Sequence, residues 1–247
     1  MHLTLLTGGS RGLGLAMARQ LLQPGQRLLT IARHPAALTA PEGAELLQWQ
    51  HDLAEPAALA TKLEQWLGQQ DSDALQSVSF IHNAGALSTL APLGANGSAE
   101  LSNALRVGLE APLVLSAAFL RATANWRAPR KLLFISSGLG RRAMAGSASY
   151  CAAKAGLDNL ARALALEEAA SSNGARVESL APGVIDTDMQ VHLRAADPAL
   201  FPDHARFVAL KSEGALDSPE VAAAKVLGVL ARPDFGQQPV TDVRERA

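Results

Sequence analysis

Short apolar runs that favour extended backbone alternate along this chain with longer stretches in which apolar residues recur every three or four positions. The extended runs are Leu3–Leu6, Arg27–Ile31, Leu46–Trp49, Val78–His82, Lys131–Ser136 and Arg176–Leu180. Between and after them, helical periodicity covers Leu13–Leu22, Pro56–Leu67, Ala99–Ala124, Ser149–Ala169 and Pro219–Leu230. In the first helix Leu13, Met17 and Leu21 fall on one face, a stripe suited to packing on a sheet. Ser218-Pro219-Glu220 opens the last helix with a capping hydroxyl followed by proline at its first position. Strands alternating with helix-length crossovers predict βαβ units, hence a parallel sheet covered on both faces. The stretch from Asp186 to Asp217 carries no clear period and predicts an irregular segment, of the kind that serves as a substrate lid.

Composition narrows the possibilities. At 247 residues the chain reads as one α/β domain spanning 1–247. With 22 Lys+Arg against 23 Asp+Glu, the net charge is −1, and no basic stripe suggests nucleic acid as a partner. Hydrophobic residues make up 48% of the chain, yet none of the unbroken apolar runs approaches the ~18 residues of a membrane span. The first apolar stretch runs straight into glycines rather than a signal-peptide pattern, so a cytoplasmic protein is expected. The single cysteine, Cys151, excludes an internal disulfide. The six histidines show no metal-ligand spacing, so no metal site is expected; His82 reads as a packed strand-end residue.

The first strand ends in Thr7-Gly8-Gly9-Ser10-Arg11-Gly12-Leu13-Gly14 and opens directly into a helix. Glycines let the backbone approach a pyrophosphate, and the helix N-terminus offers it free N–H groups and a partial positive charge. The end of the second strand then bears on which dinucleotide binds. An acid about 20 residues past the glycines would bind the ribose hydroxyl of NAD. The chain instead reads Thr30-Ile31-Ala32-Arg33-His34. Arg33, together with Arg11 in the loop, suits the extra phosphate of NADP.

Tyr150 and Lys154 lie one turn apart on a predicted helix. A phenol with pKa near ~10 is a poor proton shuttle at neutral pH, and an ammonium one turn away is expected to lower it. Ser136 and Ser137 end the fifth strand, at the carboxyl edge where open α/β sheets bind ligands. A serine hydroxyl there can donate to a carbonyl oxygen.

The chain resembles the short-chain dehydrogenase/reductase superfamily over essentially its whole length. The matching motifs are Thr7-Gly8-x-x-x-Gly12-x-Gly14, Asp52-Leu53, Asn83-Ala84-Gly85, Ser137, Tyr150-x-x-x-Lys154, and Pro182-Gly183-Val184-Ile185-Asp186-Thr187. The resemblance implies a single-domain, Rossmann-type doubly wound parallel sheet with helices on both faces. It also implies NAD(P)-dependent carbonyl/alcohol chemistry. By resemblance Tyr150 is the general acid, Lys154 holds the nicotinamide ribose and acidifies the phenol, and Ser137 positions the carbonyl. Implied cofactor contacts are Gly8, Ser10, Arg11, Gly12, Leu13 and Gly14 in the loop, with Asp52 and Leu53 at the adenine. Asn83, Ala84 and Gly85 would form the floor, and Pro182, Gly183, Ile185 and Thr187 the segment holding the carboxamide.

Two features depart from the family pattern. The middle helix reads Val107-Gly108-Leu109-Glu110-Ala111-Pro112, with Gly108 where an asparagine usually anchors the relay water. The C-terminal stretch Phe235–Val243 lacks the common ending and points to the sepiapterin- and benzil-reductase-like branch, with a dimer favoured over a tetramer. The leading expectation is an NADPH-dependent reductase of a small hydrophobic ketone or aldehyde. An NAD-linked alcohol dehydrogenase and a weakly catalytic NADP-binding scaffold are the alternatives. Leu87, Met144, Val184, Met189, Leu200, Phe201 and Phe207 are candidate apolar walls, while Arg141 and Arg142 would suit an acidic substrate.

Overall fold

The computed structural model describes residues 1–245. Seven strands form one sheet in the order β3-β2-β1-β4-β5-β6-β7, every neighbouring pair parallel. They are β1 (His2–Thr7), β2 (Gln26–Ala32), β3 (Glu45–Gln50), β4 (Ser77–His82), β5 (Arg130–Ile135), β6 (Arg176–Ala181) and β7 (Val240–Asp242). The helices are α1 (Gly12–Leu21), α2 (Pro56–Gly68), α3 (Ser98–Leu105), α4 (Ala111–Ala122), α5 (Ala148–Ala169), α6 (Asp188–Arg194), α7 (His204–Ser212) and α8 (Pro219–Ala231).

Parallel pairing requires crossovers, and the helices cover both faces of the sheet. On one face α2, α4 and α5 bury Leu63, Leu115, Phe119 and Leu157 against Phe80 and Phe134. On the other, α1 and α8 bury Met17 and Val226 against Leu6, Leu28 and Ile81. The sheet order reverses direction at β1 and β4, so their carboxyl ends flank the crevice where such sheets take ligands.

Three elements differ from the sequence expectation. β7 is too short, at three residues, to show a period. Tertiary contacts set it: the fully buried Glu178 of β6 accepts from the Thr241 hydroxyl and, at 2.9 Å, from the Gly236 N–H. The helix expected as continuous over Ala99–Ala124 is split into α3 and α4 by a π turn over Arg106–Glu110. This stretch, Ser98–Ala122, is long and apolar enough to cross a bilayer, but Ala104, Ala111, Leu115 and Phe119 are buried in the core. The segment 186–217 is not irregular but carries α6 and α7. Each is too short for periodicity to stand out, and both form by burying Leu193 and Phe207 with Phe201, Leu90 and Met144 in a third apolar cluster. Its ends are stitched together, Asp186 N–H donating to the Asp217 carbonyl at 2.9 Å and Asp217 N–H to Val184 at 3.0 Å.

His82 is indeed packed, stacked 5.1 Å from the Phe134 ring and bonded through Nε2 to the Ser116 hydroxyl at 3.0 Å. Burial pulls its imidazole down to about 3, so it is neutral in the ordinary working range.

Candidate active site

The glycine loop is built so that nothing bulkier fits. Gly8 and Gly12 have φ of +71° and +51°, in the left-handed region that glycine enters without steric cost. A Cβ on Gly14 would stand 2.0 Å from the Gly8 carbonyl oxygen and 2.6 Å from Asn83 Nδ2. Asn83 fastens the loop to the end of β4: its Nδ2 donates to the carbonyls of Thr7 (3.1 Å) and Gly8 (3.2 Å). Thr7 reciprocates, its hydroxyl accepting from the N–H groups of Asn83 (3.0 Å) and Ala84 (3.1 Å). Helix α1 then begins with neither a side-chain cap nor an acid in its first turn. Those uncapped N–H groups and the open backbone fit the pyrophosphate of a dinucleotide.

Other residues expected at the cofactor take varied positions. Ser10 is half-buried and Leu13 buried in the loop, while Gly85 is exposed beyond Ala84. Arg33 stands exposed at the end of β2. Arg11 is also exposed and pairs with Asp188 of α6 at 3.3 Å, tying the glycine loop to the segment opposite. Asp52 is exposed and closes a local turn, accepting from the Ala54 N–H at 3.0 Å. Leu53 turns inward, its side chain packed in the core beside Leu59. Pro182 is buried; Gly183, at φ +85°, swings the chain from β6 through Ile185 toward the loop. There a Cβ on Gly12 would lie 3.2 Å from Thr187 Cγ2.

Ser137, Tyr150 and Lys154 meet at the carboxyl end of β5. Ser137 follows the strand and caps a short turn, its Oγ accepting from the Leu139 N–H at 3.1 Å. Tyr150 sits in the first turn of α5, half-buried, with its phenol against the Ser137 hydroxyl. Lys154, one turn on, is 4% exposed. Its Nζ donates to the Ile135 carbonyl at 2.7 Å and lies 5.5 Å from the centre of the Tyr150 ring. Burial pushes the phenol up to about 12, the Ser137 hydroxyl opposing and the Cys151 thiol adding to it. Burial likewise pulls the Lys154 amine down to about 8, with the Asp158 carboxylate opposing. The expected acidification of Tyr150 is therefore corrected: in the protein alone, desolvation outweighs the neighbouring amine. The constellation holds a protonated phenol, a hydroxyl and an amine around one point, a geometry able to hand a proton to an oxyanion.

Gly108 lies against α5. A Cβ there would stand 3.1 Å from Ala153 Cβ, and one on Gly156 would stand 2.7 Å from Leu109 Cδ2. The π turn thus closes directly onto the helix bearing Tyr150 and Lys154. In the third apolar cluster Met144, Phe201 and Phe207 are buried together, the two phenyl rings stacked at 5.6 Å. Leu87, Leu139, Cys151 and Met189 remain part-exposed around that cluster. Val184 is half-buried, and Leu200 points outward at 40% exposure.

Arg141, a candidate cation for an acidic substrate, is engaged within the protein. Its Nε stands 3.3 Å from Asp158 and its Nη2 donates to the Thr241 carbonyl at 2.7 Å, structural tasks within the protein. The reading along the sequence missed Asp158 for a simple reason: it stops at the Tyr-x-x-x-Lys spacing, and the carboxylate lies one further turn along the same helix. Thr7 was legible only as part of the glycine motif, although its hydroxyl takes two backbone bonds.

The sequence pattern described as short chain dehydrogenase matches residues 2–198. The chain is 30% identical to a benzil reductase ((S)-benzoin forming) of Bacillus cereus, across 99% of this chain and 100% of that one. It is 35% identical to the sepiapterin reductase of Meriones unguiculatus, across 94% and 92% of the respective chains. Among solved structures, the KRED1-Pglu enzyme superposes with a TM-score of 0.81 at 25% identity, covering 97% of this chain and 100% of that one. A short-chain dehydrogenase/reductase from Burkholderia vietnamiensis, 31% identical, superposes with a TM-score of 0.65 over 98% of both chains.

Proposed function

The chain belongs to the short-chain dehydrogenase family, and from that membership we propose that it is an NADPH-dependent carbonyl reductase acting on a small hydrophobic ketone or aldehyde. One observation carries the reading: the Tyr150 phenol lies against the Ser137 hydroxyl one helical turn from Lys154, and the adjoining Cys151 packs on the apolar cluster of Met144 and Phe201. The relatives' activities, benzil and sepiapterin reduction, support a carbonyl substrate.

The glycine loop, Asn83 and the N-terminus of α1 would hold the dinucleotide's pyrophosphate, with Thr187 and Ile185 along its far wall. When bound, the reduced nicotinamide supplies the hydride. Ser137 orients the carbonyl oxygen, and the Tyr150 phenol gives that oxygen its proton. Lys154, anchored on the Ile135 carbonyl, places a positive charge beside the phenolate left behind. The α6–α7 segment over 186–217 acts as the lid, and its apolar inner face keeps water from the transfer.

The test is NADPH and NADH oxidation against a panel of aromatic diketones, aldehydes and quinones. Turnover with NADPH and an aromatic diketone supports the reading; tight NADPH binding with no carbonyl reduced anywhere in the panel overturns it. Arg33, exposed at the end of β2, is assigned to the extra phosphate of NADPH. A charged hydrogen bond of about 1.5–3 kcal/mol predicts that Arg33→Asp lowers the preference for NADPH over NADH by about 10–100-fold, read as the ratio of kcat/KM values.

A weakly catalytic cofactor-binding protein is the second reading, and Gly108 is what favours it. Restoring the family's side chain tests it. The 3.1 Å approach to Ala153 means that Gly108→Asn must shift the π turn or α5 by a few tenths of an ångström, besides finding room for the amide. Overpacking of this kind costs about 1–3 kcal/mol, so the melting temperature should fall by about 2–10 °C with no gain in turnover. A rise in kcat would show instead that the relay lacks only that amide.

A further inference from the structure

Arg141 closes the short turn that begins at Ser137. The turn is bonded within itself: Ser137 Oγ accepts from the Leu139 N–H at 3.1 Å, the Ser137 carbonyl from the Gly140 N–H at 3.0 Å, and the Gly138 carbonyl from the Arg141 N–H at 3.2 Å. Its first end continues from β5, where the Ser136 N–H donates to the Leu180 carbonyl of β6 at 2.8 Å. Its far end is held by the Arg141 side chain. Nη2 donates to the Thr241 carbonyl of β7 at 2.7 Å, and Nε lies 3.3 Å from Oδ2 of Asp158 on α5. That carboxylate is 1% exposed and takes the Ser179 hydroxyl of β6 on Oδ1 at 2.7 Å, while no hydrogen bond reaches Oδ2. Gly140 lies flush on the same helix: a Cβ there would stand 2.7 Å from Oδ2 and 2.9 Å from the Lys154 carbonyl.

We propose that Arg141 is a positioning residue for Ser137: bolted to α5 through Asp158 and to β7 through Thr241, it holds the serine's turn in place against the helix that bears Tyr150. The consequence for turnover rests on the proposed function; the geometry does not. Stability alone gives a poor account of the ion pair. Taking two charges out of water costs about as much as their attraction returns, and apolar residues of similar size commonly do as well. What an apolar pair lacks is direction. The guanidinium is a rigid planar fork, and its two arms fall on a carboxylate of a helix and a carbonyl of a strand, which fixes the end of the turn against two elements at once. Gly140 shows how little play this seat has, since even a methyl there would meet the Asp158 carboxylate and the Lys154 backbone. Because the turn is bonded within itself it moves as one piece, and a displacement at Arg141 is carried back to the serine hydroxyl.

Arg141→Met should lower kcat for carbonyl reduction by about 10–100-fold while KM for NADPH stays within about threefold, since a displacement of ~1 Å at the reacting centre is worth that much. Its melting temperature should fall as well, because Asp158 is left buried without its cation. Arg141→Met combined with Asp158→Asn separates the two effects. With no charge left to compensate, the double variant should recover most of the lost melting temperature, yet its kcat should stay at least about tenfold below the parent. Should the single variant not fold, the double variant decides alone. Parent-like kcat in the single variant, or a kcat that returns together with the melting temperature, overturns the proposal and leaves Arg141 a counter-charge only. Amide exchange in the cofactor-free protein reads the turn without any turnover. In the double variant the Leu139 and Gly140 amides, both bonded to Ser137, should exchange at least about tenfold faster, with the Leu133 amide of β5 unchanged. Unchanged exchange at the turn rejects the seating whatever the turnover. Faster exchange in a protein whose parent reduces no carbonyl upholds the seating and counts against the reductase reading alone.

Discussion

Tyr150→Phe should reduce carbonyl turnover by about 10²–10⁴-fold while leaving NADPH affinity within about threefold, because general acid catalysis is worth that much and the phenol is the group assigned to protonate the carbonyl oxygen. The substitution removes one oxygen from a half-buried ring. Ser137 keeps its bond from the Leu139 N–H and Lys154 keeps its bond to Ile135, so the scaffold around the missing hydroxyl stays intact. The stability cost should stay near ~1 kcal/mol, that of one lost hydrogen bond, which separates a lost donor from a lost fold. Tyr150 is the only tyrosine in the chain, so phenolate absorbance reports this one group. With burial pushing its pKa up to about 12, the phenol of the free protein stays protonated at neutral pH, and alcohol oxidation should be short of base there. Oxidation should therefore climb about tenfold per pH unit, whereas reduction, which needs the phenol itself, should not. Normal turnover in Tyr150→Phe, or phenolate absorbance in the free protein at neutral pH, would remove the acid from the mechanism.

The strand–helix alternation is legible because the buried strands are runs of Leu, Ile, Val and Phe, and the boundaries of β1, β2, β4, β5 and β6 follow them to within a residue or two. Local pattern fails where structure is imposed from a distance. β7 exists because Glu178 needs the Thr241 hydroxyl and the Gly236 N–H. The π turn exists because Gly108 and Leu109 close on Ala153 and Gly156, residues far along the chain. Helices α6 and α7 have a coherent buried face only once Met144 and Leu90 stand beneath them. For the site, spacing brings Tyr150 and Lys154 together correctly, since a helix turn is local. The sign of the Tyr150 shift is not local: it depends on how much water the folded chain strips from the phenol, which no spacing records. Arg141 shows the same limit, appearing as a free surface cation in the sequence and as the partner of a buried carboxylate in the fold.

Gly14→Ala should lower NADPH affinity by more than about a hundredfold and destabilise the protein by about 1–3 kcal/mol or more. The added methyl meets the Gly8 carbonyl oxygen at 2.0 Å and Asn83 Nδ2 at 2.6 Å, and neither is a flexible side-chain end that can swing aside. Gly8 is fixed by its N–H bond to the Ile31 carbonyl at 2.8 Å and by its own carbonyl accepting from Asn83 Nδ2, while Asn83 is held in turn by its bonds to Thr7. Relief must come from displacing the loop itself, the surface on which a pyrophosphate would lie. Two effects thus share one cause, and both are measurable: calorimetric titration with NADPH for the first, thermal melting for the second. Gly68→Ala is the matched control, at an exposed helical position where a Cβ meets nothing within 4 Å. There the methyl should stabilise by about 0.5–1 kcal/mol through helix propensity, with binding unchanged. If Gly14→Ala binds NADPH like the parent, the loop does not cradle the dinucleotide, and the cofactor assignment falls with it.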